Sequence, residues 1–144
     1  TRESLRGHAT LVFFGFTHCP DVCPATLAKL AQVKQAASMP QLRVLLVSVD
    51  PERDTPEALA AYVRAFDREF TGVTGDPQAV AQLTRSFGVA TARTELPGGG
   101  YTVDHSAAVF LLDAQGRMVA VFTPPFEVAR MAEDLQRAAS RLGA

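Results

Sequence analysis

The run Leu11-Val-Phe-Phe-Gly-Phe-Thr-His-Cys-Pro-Asp-Val-Cys-Pro24 leads from an apolar strand into the start of a helix. Its first six residues form a continuous apolar and aromatic segment, as expected for a strand covered on both faces. Cys19 and Cys23 are the only two cysteines of the chain. A disulfide between them would close too short a loop to stabilise the fold much. The pair therefore indicates chemistry rather than a structural cross-link.

Strand-like and helix-like patterns alternate along the rest of the chain. Strands are predicted at residues 42–49, 70–73, 107–112 and 118–122, and helices at residues 24–37, from 55, from 76 to 88, and at 125–142. Thr55-Pro56 and Asp76-Pro77 each combine an N-cap residue with a proline suited to the first helical turn. Residues 90–104 are predicted to be irregular, as a loop or a hairpin flap, because they contain Leu96-Pro-Gly-Gly-Gly100.

The order of these elements predicts the fold class. Three consecutive βα units followed by a β-hairpin and a last helix indicate one α/β domain over residues 1–144. The βαβ units should form a parallel sheet, and the final hairpin should add an antiparallel strand at one edge. This is a thioredoxin-like arrangement with an additional helix-strand unit. Functional residues are then expected in loops beyond the carboxyl ends of the parallel strands.

Composition excludes several classes of partner. With 47% hydrophobic and 20% charged residues and a formal net charge of -1, the 144-residue chain is typical of one soluble globular domain. Such a balance provides no positive field for nucleic acid or an anionic membrane. No apolar run approaches the roughly 20 residues that cross a bilayer, and no signal peptide is recognisable. The composition therefore predicts neither nucleic acid nor a membrane surface as a direct partner.

The two cysteines are placed to act as thiolates. Pro24 disfavours helical geometry in the residue before it, so Cys23 is predicted at or just before the helix start. The positive end of the helix dipole should lower the pKa of a thiol there, and the thiolate is both a nucleophile and a metal ligand. If both cysteines were helical, their Cα atoms would be about 6 Å apart, within disulfide range. If Cys19 lies in a loop, convergence is possible but not forced.

A metal site would need a third ligand, and the candidates are the three histidines. His8 lies in a polar N-terminal turn and is expected to be solvated. His18 adjoins Cys19, but neighbouring side chains of an extended loop tend to point apart. His18 is therefore a candidate for influencing the Cys19 thiol as a nearby cation or hydrogen-bond donor, without contacting the metal. His105 directly precedes the strand at 107–112. In a thioredoxin-like fold the loop entering that strand lies over the cysteine-bearing helix, so His105 is the predicted third ligand.

Two thiolates and one imidazole suit copper. Cu(I) accepts this three-coordinate set, and Cu(II) could use it with an added water or backbone oxygen, whereas magnesium, calcium and manganese prefer oxygen ligands. Asp50, Asp54 and Asp104 are candidate carboxylates that could accept hydrogen bonds from the metal-binding side chains without contacting the metal. For Asp50 an equally good interpretation is a turn former together with Pro51.

Three separated motifs in the same order give the chain a family resemblance. Gly15-Phe-Thr-His-Cys-Pro-Asp-Val-Cys-Pro24, Val47-Ser-Val-Asp-Pro-Glu-Arg-Asp-Thr-Pro56 and Val103-Asp-His-Ser106 closely resemble the SCO/SenC family. That family consists of copper chaperones for assembly of the copper A site of cytochrome c oxidase. The resemblance covers nearly the whole chain. The CxxxC motif alone would be weak evidence for the family, but three motifs in the same order are strong evidence.

The resemblance has specific implications. It implies one copper ion held by Cys19, Cys23 and His105, a thioredoxin-like fold, and a copper-acceptor subunit of cytochrome c oxidase as partner, with another periplasmic copper carrier as a second one. It also implies a location in the bacterial periplasm or at the outer face of the cytoplasmic membrane, through an anchor that this chain lacks. The hairpin that precedes the first strand in the family is expected to be shortened or absent, since only residues 1–8 remain.

Two enzymatic alternatives remain beside a non-enzymatic carrier. A thiol-disulfide oxidoreductase could use Cys19 and Cys23 as a redox-active pair to reduce the cysteines of a copper acceptor. Against a general oxidoreductase, the spacing is CxxxC rather than CxxC, and no proline directly precedes the strand at 107. A peroxidase of the same fold is disfavoured, because the chain contains no Trp and has Phe16 rather than threonine three residues before Cys19.

Overall fold

A computed structural model of the chain describes residues 8–17, 22–39, 41–51, 53–87, 91–95, 101–105, 108–123 and 125–142. For residues 22–23, 91–95, 101–105 and 139–142 it describes the backbone alone. The elements in chain order are β1 (Thr10–Gly15), α1 (Val22–Ala37), β2 (Arg43–Ser48), α2 (Pro56–Arg64), β3 (Thr71–Val73), α3 (Pro77–Ser86), β4 (Thr91–Glu95), β5 (Tyr101–His105), β6 (Val109–Leu112), β7 (Met118–Phe122) and α4 (Val128–Leu142).

A five-stranded mixed sheet forms the centre of the fold. Its strand order is β3-β2-β1-β6-β7, with β1, β2 and β3 parallel and with β6 and β7 antiparallel to their neighbours. The predicted α/β, thioredoxin-like class with parallel βαβ units and a C-terminal antiparallel hairpin is confirmed. The hairpin adds two strands to the sheet beside β1 rather than one, because β6 itself pairs with β1 along its whole length.

Both faces of β1 are buried, which explains its continuous apolar run. Leu11 and Phe13 point into the larger core, which α1, α2 and α4 cover, whereas Val12 and Phe14 point into a smaller core on the other face. In the smaller core the rings of Phe14, Phe87 and Phe110 meet edge to face, with centroids 5.2 to 5.9 Å apart. The carboxyl end of β1 is therefore held from both sides.

The predicted helix starts at Thr55 and Asp76 are confirmed. Thr55 Oγ1 accepts a hydrogen bond from the Ala58 N–H at 3.2 Å, and Asp76 Oδ1 accepts one from Ala79 at 2.8 Å. The last helix begins at Val128, three residues later than predicted. The preceding Phe126 is buried, and its carbonyl accepts a hydrogen bond from Lys29 Nζ of α1 at 3.0 Å, so this segment is held against α1 before the last helix begins.

The segment predicted to be irregular contains a regular β-hairpin. β4 and β5 pair antiparallel as a separate two-stranded sheet, in register from Thr91 opposite His105 to Glu95 opposite Tyr101. The expectation of a flap is met, but the expectation of irregular structure up to Asp104 is wrong. The threonines of both strands, with Tyr101 and Val103 in β5, favour the extended conformation, and the glycine-rich tip obscured that pattern. The tip at residues 96–100 lies outside the described residues.

Candidate functional site

The cysteine-bearing segment joins the carboxyl end of β1 to the amino end of α1. β1 ends at Gly15, and α1 begins at Val22, so Cys23 is the second residue of the helix rather than a residue before it. Pro24 is compatible with this start because an N–H in the first helical turn has no intrahelical acceptor to lose. Cys19 and His18 lie outside the described residues. The predicted approach of the two sulfurs therefore stays a prediction.

His105 is the last residue of β5 and pairs with Thr91 of β4. This corrects the prediction that His105 lies in a loop directly before the next strand, because β6 begins only at Val109. Asp104, opposite Ala92, is likewise a strand residue. The side chains of Cys23, Asp104 and His105 are outside the described part of the chain. Among the described residues, no three His, Cys, Asp or Glu side chains form a group that could hold a metal ion.

A buried carboxylate connects the segments at the carboxyl edge of the parallel strands. Asp54 is 1% exposed and accepts hydrogen bonds from the backbone N–H of Thr17 at 3.1 Å and from Ser48 Oγ at 2.7 Å. Its other oxygen accepts a hydrogen bond from the Thr17 hydroxyl. One side chain thus joins the exit of β1, the end of β2 and the residue before the N-cap of α2.

Asp50 forms the turn after β2, as its alternative interpretation predicted. Its carbonyl accepts hydrogen bonds from the N–H groups of Arg53 and Asp54 at 3.2 and 3.0 Å, and its N–H donates to Ser48 Oγ at 3.1 Å. The buried carboxylate forms an ion pair with Arg53 Nε. The Arg53 guanidinium also lies 5.8 Å from the centroid of the Phe16 ring, within the range of a cation–π interaction. A supporting role of Asp50 toward a metal stays a prediction.

Sequence reasoning did not identify Thr17, Ser48 or Arg53 as parts of this arrangement. The available signal was modest: Thr17 and Ser48 are polar residues at or just beyond the ends of otherwise apolar strands. Their meeting with Asp54 follows from the parallel register in which Gly15 lies opposite Ser48. The carboxyl ends of β1 and β2 thereby come to one edge, as parallel strands require.

A cleft of about 440 Å³ lies elsewhere, lined in part by Lys34, Met39 and Glu69. Lys34 belongs to the last turn of α1, where its Nζ pairs with Glu69. The 16-residue helix is about 24 Å long, and the cleft lies near its carboxyl end, whereas Cys23 lies at its amino end. The cleft is not part of the candidate site.

Within the described ranges, no helix has the length and apolar character to cross a bilayer.

Comparison with known sequences gives one family. Residues 1–140 match the SCO1/SenC family. The protein SCO2 homolog, mitochondrial, of Bos taurus is 40% identical over 139 residues, which cover 93% of this chain and 51% of that protein. The SCO2-like protein RP587 of Rickettsia prowazekii is 36% identical over 83% of this chain and 60% of its own length. The chain thus spans about half the length of the first of these curated relatives.

Solved structures share the fold. The crystal structure of Arabidopsis thaliana ScoI with copper bound superposes with a TM-score of 0.93 at 31% identity, covering 97% of this chain and 89% of that one. The structure of Bradyrhizobium japonicum ScoI with copper bound gives 0.85 at 39% identity, covering 94% and 88%. Apo Sco1 from Thermus thermophilus gives 0.81 at 36% identity, covering 96% and 82%.

Proposed function

The chain belongs to the SCO1/SenC family, and we propose that it is a copper chaperone domain for assembly of the copper A site of cytochrome c oxidase. In this proposal it carries one Cu(I) or Cu(II) ion as cargo, bound by the thiolates of Cys19 and Cys23 and the imidazole of His105. The observation that carries the proposal is the likeness, over 97% and 94% of this chain, to two relatives whose structures contain copper.

The start of α1 supports the role of the cysteines. A residue in the first turn of a helix lies close to backbone N–H groups that have no helical partner, and these favour a negative charge. The first turn of α1 itself contains no acidic residue, and Asp21 directly precedes the helix in the sequence. A cysteine at position 23 is therefore favoured as the thiolate, the form that binds a soft metal ion.

The hairpin supports the role of the histidine. His105 ends β5, and the antiparallel pairing with β4 fixes its backbone from one side. The donor set of two sulfurs and one nitrogen is chemically suited to Cu(I) without a fourth protein ligand. A three-coordinate ion leaves a position that a ligand of an acceptor protein can attack, which allows transfer by ligand exchange.

The proposal includes partners and a location. The copper acceptor is a subunit of cytochrome c oxidase, and a second periplasmic copper carrier supplies the ion. The domain acts in the bacterial periplasm or at the outer face of the cytoplasmic membrane, held there by a segment beyond these 144 residues. It is a carrier rather than an enzyme.

An anaerobic Cu(I) titration against a competing chelator tests the ligand set. The reduced chain should bind one copper ion, and Cys19→Ser, Cys23→Ser and His105→Ala should each weaken binding. Replacement of outer-shell residues typically lowers metal affinity about 10- to 100-fold, so loss of a direct ligand should cost at least that much. His8→Ala is the matched control, because its imidazole contacts the Gln41 carbonyl at 3.2 Å and should leave the affinity unchanged. An unchanged affinity in His105→Ala would remove the third ligand from the proposal.

A thiol-disulfide oxidoreductase that reduces a copper acceptor is the second candidate. The thioredoxin-like fold and a cysteine in the first turn of α1 favour it. Measuring the disulfide potential with and without copper, together with insulin reductase activity, separates the two functions. The chaperone proposal expects copper to shift the potential strongly and insulin reduction to be slow. Rapid insulin reduction that copper does not affect would favour the oxidoreductase.

A further inference from the structure

The two described residues that lead into the cysteine segment are both held by the turn after β2. Thr17, two positions before Cys19, is bound through its N–H and its hydroxyl to the two carboxylate oxygens of Asp54. Phe16 packs under the guanidinium of Arg53. Residues 16 and 17 are therefore fixed by side chains from residues 53 and 54 rather than by strand pairing alone.

Asp54 is itself firmly anchored. Ser48 Oγ donates to Oδ2 at 2.7 Å, and the carboxylate is 1% exposed. Its backbone N–H binds the Asp50 carbonyl at 3.0 Å, and the next residue is the N-cap of α2. A charged acceptor buried with several donors is rigid, because any rotation leaves part of it unsatisfied.

We propose that Asp54 is a positioning residue for the dithiol, which sets the path of the chain from β1 toward Cys19 and thereby its distance from Cys23. The proposal rests on the proposed function of the two cysteines. Cys23 is fixed separately, by the first turn of α1. The hydrogen bonds to Thr17 are thus a connection between the rigid sheet edge and the segment that carries the other sulfur.

Loss of this connection should lower the effective concentration of one sulfur near the other. Both copper chelation and disulfide formation depend on that effective concentration. Disulfide formation follows the balanced exchange in which the protein dithiol and one oxidised glutathione give the protein disulfide and two reduced glutathiones, so that two electrons pass from the protein to glutathione. Its equilibrium constant reports the approach of the two sulfurs without copper.

The test measures this equilibrium constant and the Cu(I) dissociation constant for four variants of the full 144-residue chain. Asp54→Ala should lower the disulfide equilibrium constant and raise the copper dissociation constant, each by roughly 10-fold or more. Asp54→Asn should restore most of both values, because its amide can still accept from Ser48 and the Thr17 N–H and can donate to the Thr17 hydroxyl.

Thr17→Val and Ser48→Ala form a matched pair. Each removes one hydroxyl that donates to Asp54, but only Thr17 belongs to the segment that continues to Cys19. We expect both to lower the thermal unfolding temperature, and only Thr17→Val to shift the disulfide equilibrium and the copper affinity by several-fold. This pair decides the question even if Asp54→Ala does not fold.

The inference is overturned if Thr17→Val, and Asp54→Ala where folded, keep both constants within twofold of wild type while losing thermal stability. Asp54 would then only stabilise the fold. If the wild-type chain forms its disulfide but binds no copper, the proposed function fails. The disulfide equilibrium constants of the variants still test the positioning role of Asp54.

Discussion

At the scale of single residues, the close packing of β3 against α2 depends on a glycine, Gly72, which has no side chain. A Cβ at Gly72 would lie 2.5 Å from Leu59 Cγ and 3.3 Å from the Leu59 carbonyl carbon. Leu59 is fully buried in the larger core, so neither its side chain nor its helix has room to move away. Gly72 is thus required by close packing, and not by an unusual backbone angle.

Gly72→Ala should therefore destabilise the fold. Overpacking of a tight core costs about 1–3 kcal/mol, which urea denaturation monitored by circular dichroism would detect. Gly75→Ala is the matched control, because its Cβ would lie 4.0 Å from Ala79 Cβ in ordinary contact. The control should be unchanged or slightly more stable. Equal stability of wild type and Gly72→Ala would contradict the packing argument.

Among individual residues, the sequence was most informative where spacing and chemistry coincide. Cys19 and Cys23 stand out because they are the only two cysteines, lie four positions apart and are each followed by a proline. The contacts of Thr17 with Asp54 could not be predicted, since they join positions 37 apart and leave no periodic pattern. Burial of Asp54 is decided by the parallel register of β1 and β2, which only the folded chain establishes.

At the scale of elements, the turn between β6 and β7 is organised by Asp113. Its carboxylate accepts hydrogen bonds from the N–H groups of Gln115 and Arg117, both at 2.9 Å, and from Arg117 Nε at 3.0 Å. Gly116 adopts a φ of 79°, which favours glycine. Burial acts to raise the pKa of Asp113, but the hydrogen bonds and the charge of Arg117 outweigh it and hold the pKa below its ordinary value of 3.8.

This turn should make stability depend on pH in a predictable direction. Because the pKa of Asp113 is lower in the folded state, the unfolded chain binds a proton more readily, and the stabilisation is present above pH 3.8 and lost as the pH falls through the folded-state pKa. Asp113→Asn should lower the free energy of unfolding at neutral pH by about 1–2 kcal/mol.

Urea midpoints of wild type and Asp113→Asn measured from neutral pH downward give the check. The difference between the two proteins should be constant at neutral pH and should narrow below pH 3.8. A difference that grows toward acid pH would contradict the assignment of the lowered pKa to this turn.

Elements differed in how well local sequence predicted them. The starts of α2 and α3 were predictable because an N-cap followed by proline is a local signal, and both caps form the expected hydrogen bonds. The β4–β5 hairpin was not recognised as regular, because its pairing is set by cross-strand partners on either side of a glycine-rich tip. The first turn of α4 was placed too early, since Phe126 is buried by tertiary packing against α1 and not by helix formation.

At the scale of the whole molecule, the proposed copper ligands come from segments connected to two different sheets. The cysteine segment follows β1 at the centre of the sheet, flanked by β2 and β6. His105 belongs to a hairpin outside that sheet. In the proposed function, a copper ion therefore has to join a segment that follows a strand of the central sheet to a hairpin that forms a different sheet.

The central claim is that one copper ion joins these segments, and X-ray absorption at the copper edge of the reduced, copper-loaded chain tests it most directly. By comparison with zinc, the account predicts two sulfur ligands near about 2.3 Å and one imidazole nitrogen near about 2.0 Å, with the nitrogen scattering lost in His105→Ala. A copper shell of sulfur alone in the wild-type chain, or a nitrogen signal that persists in His105→Ala, would contradict it.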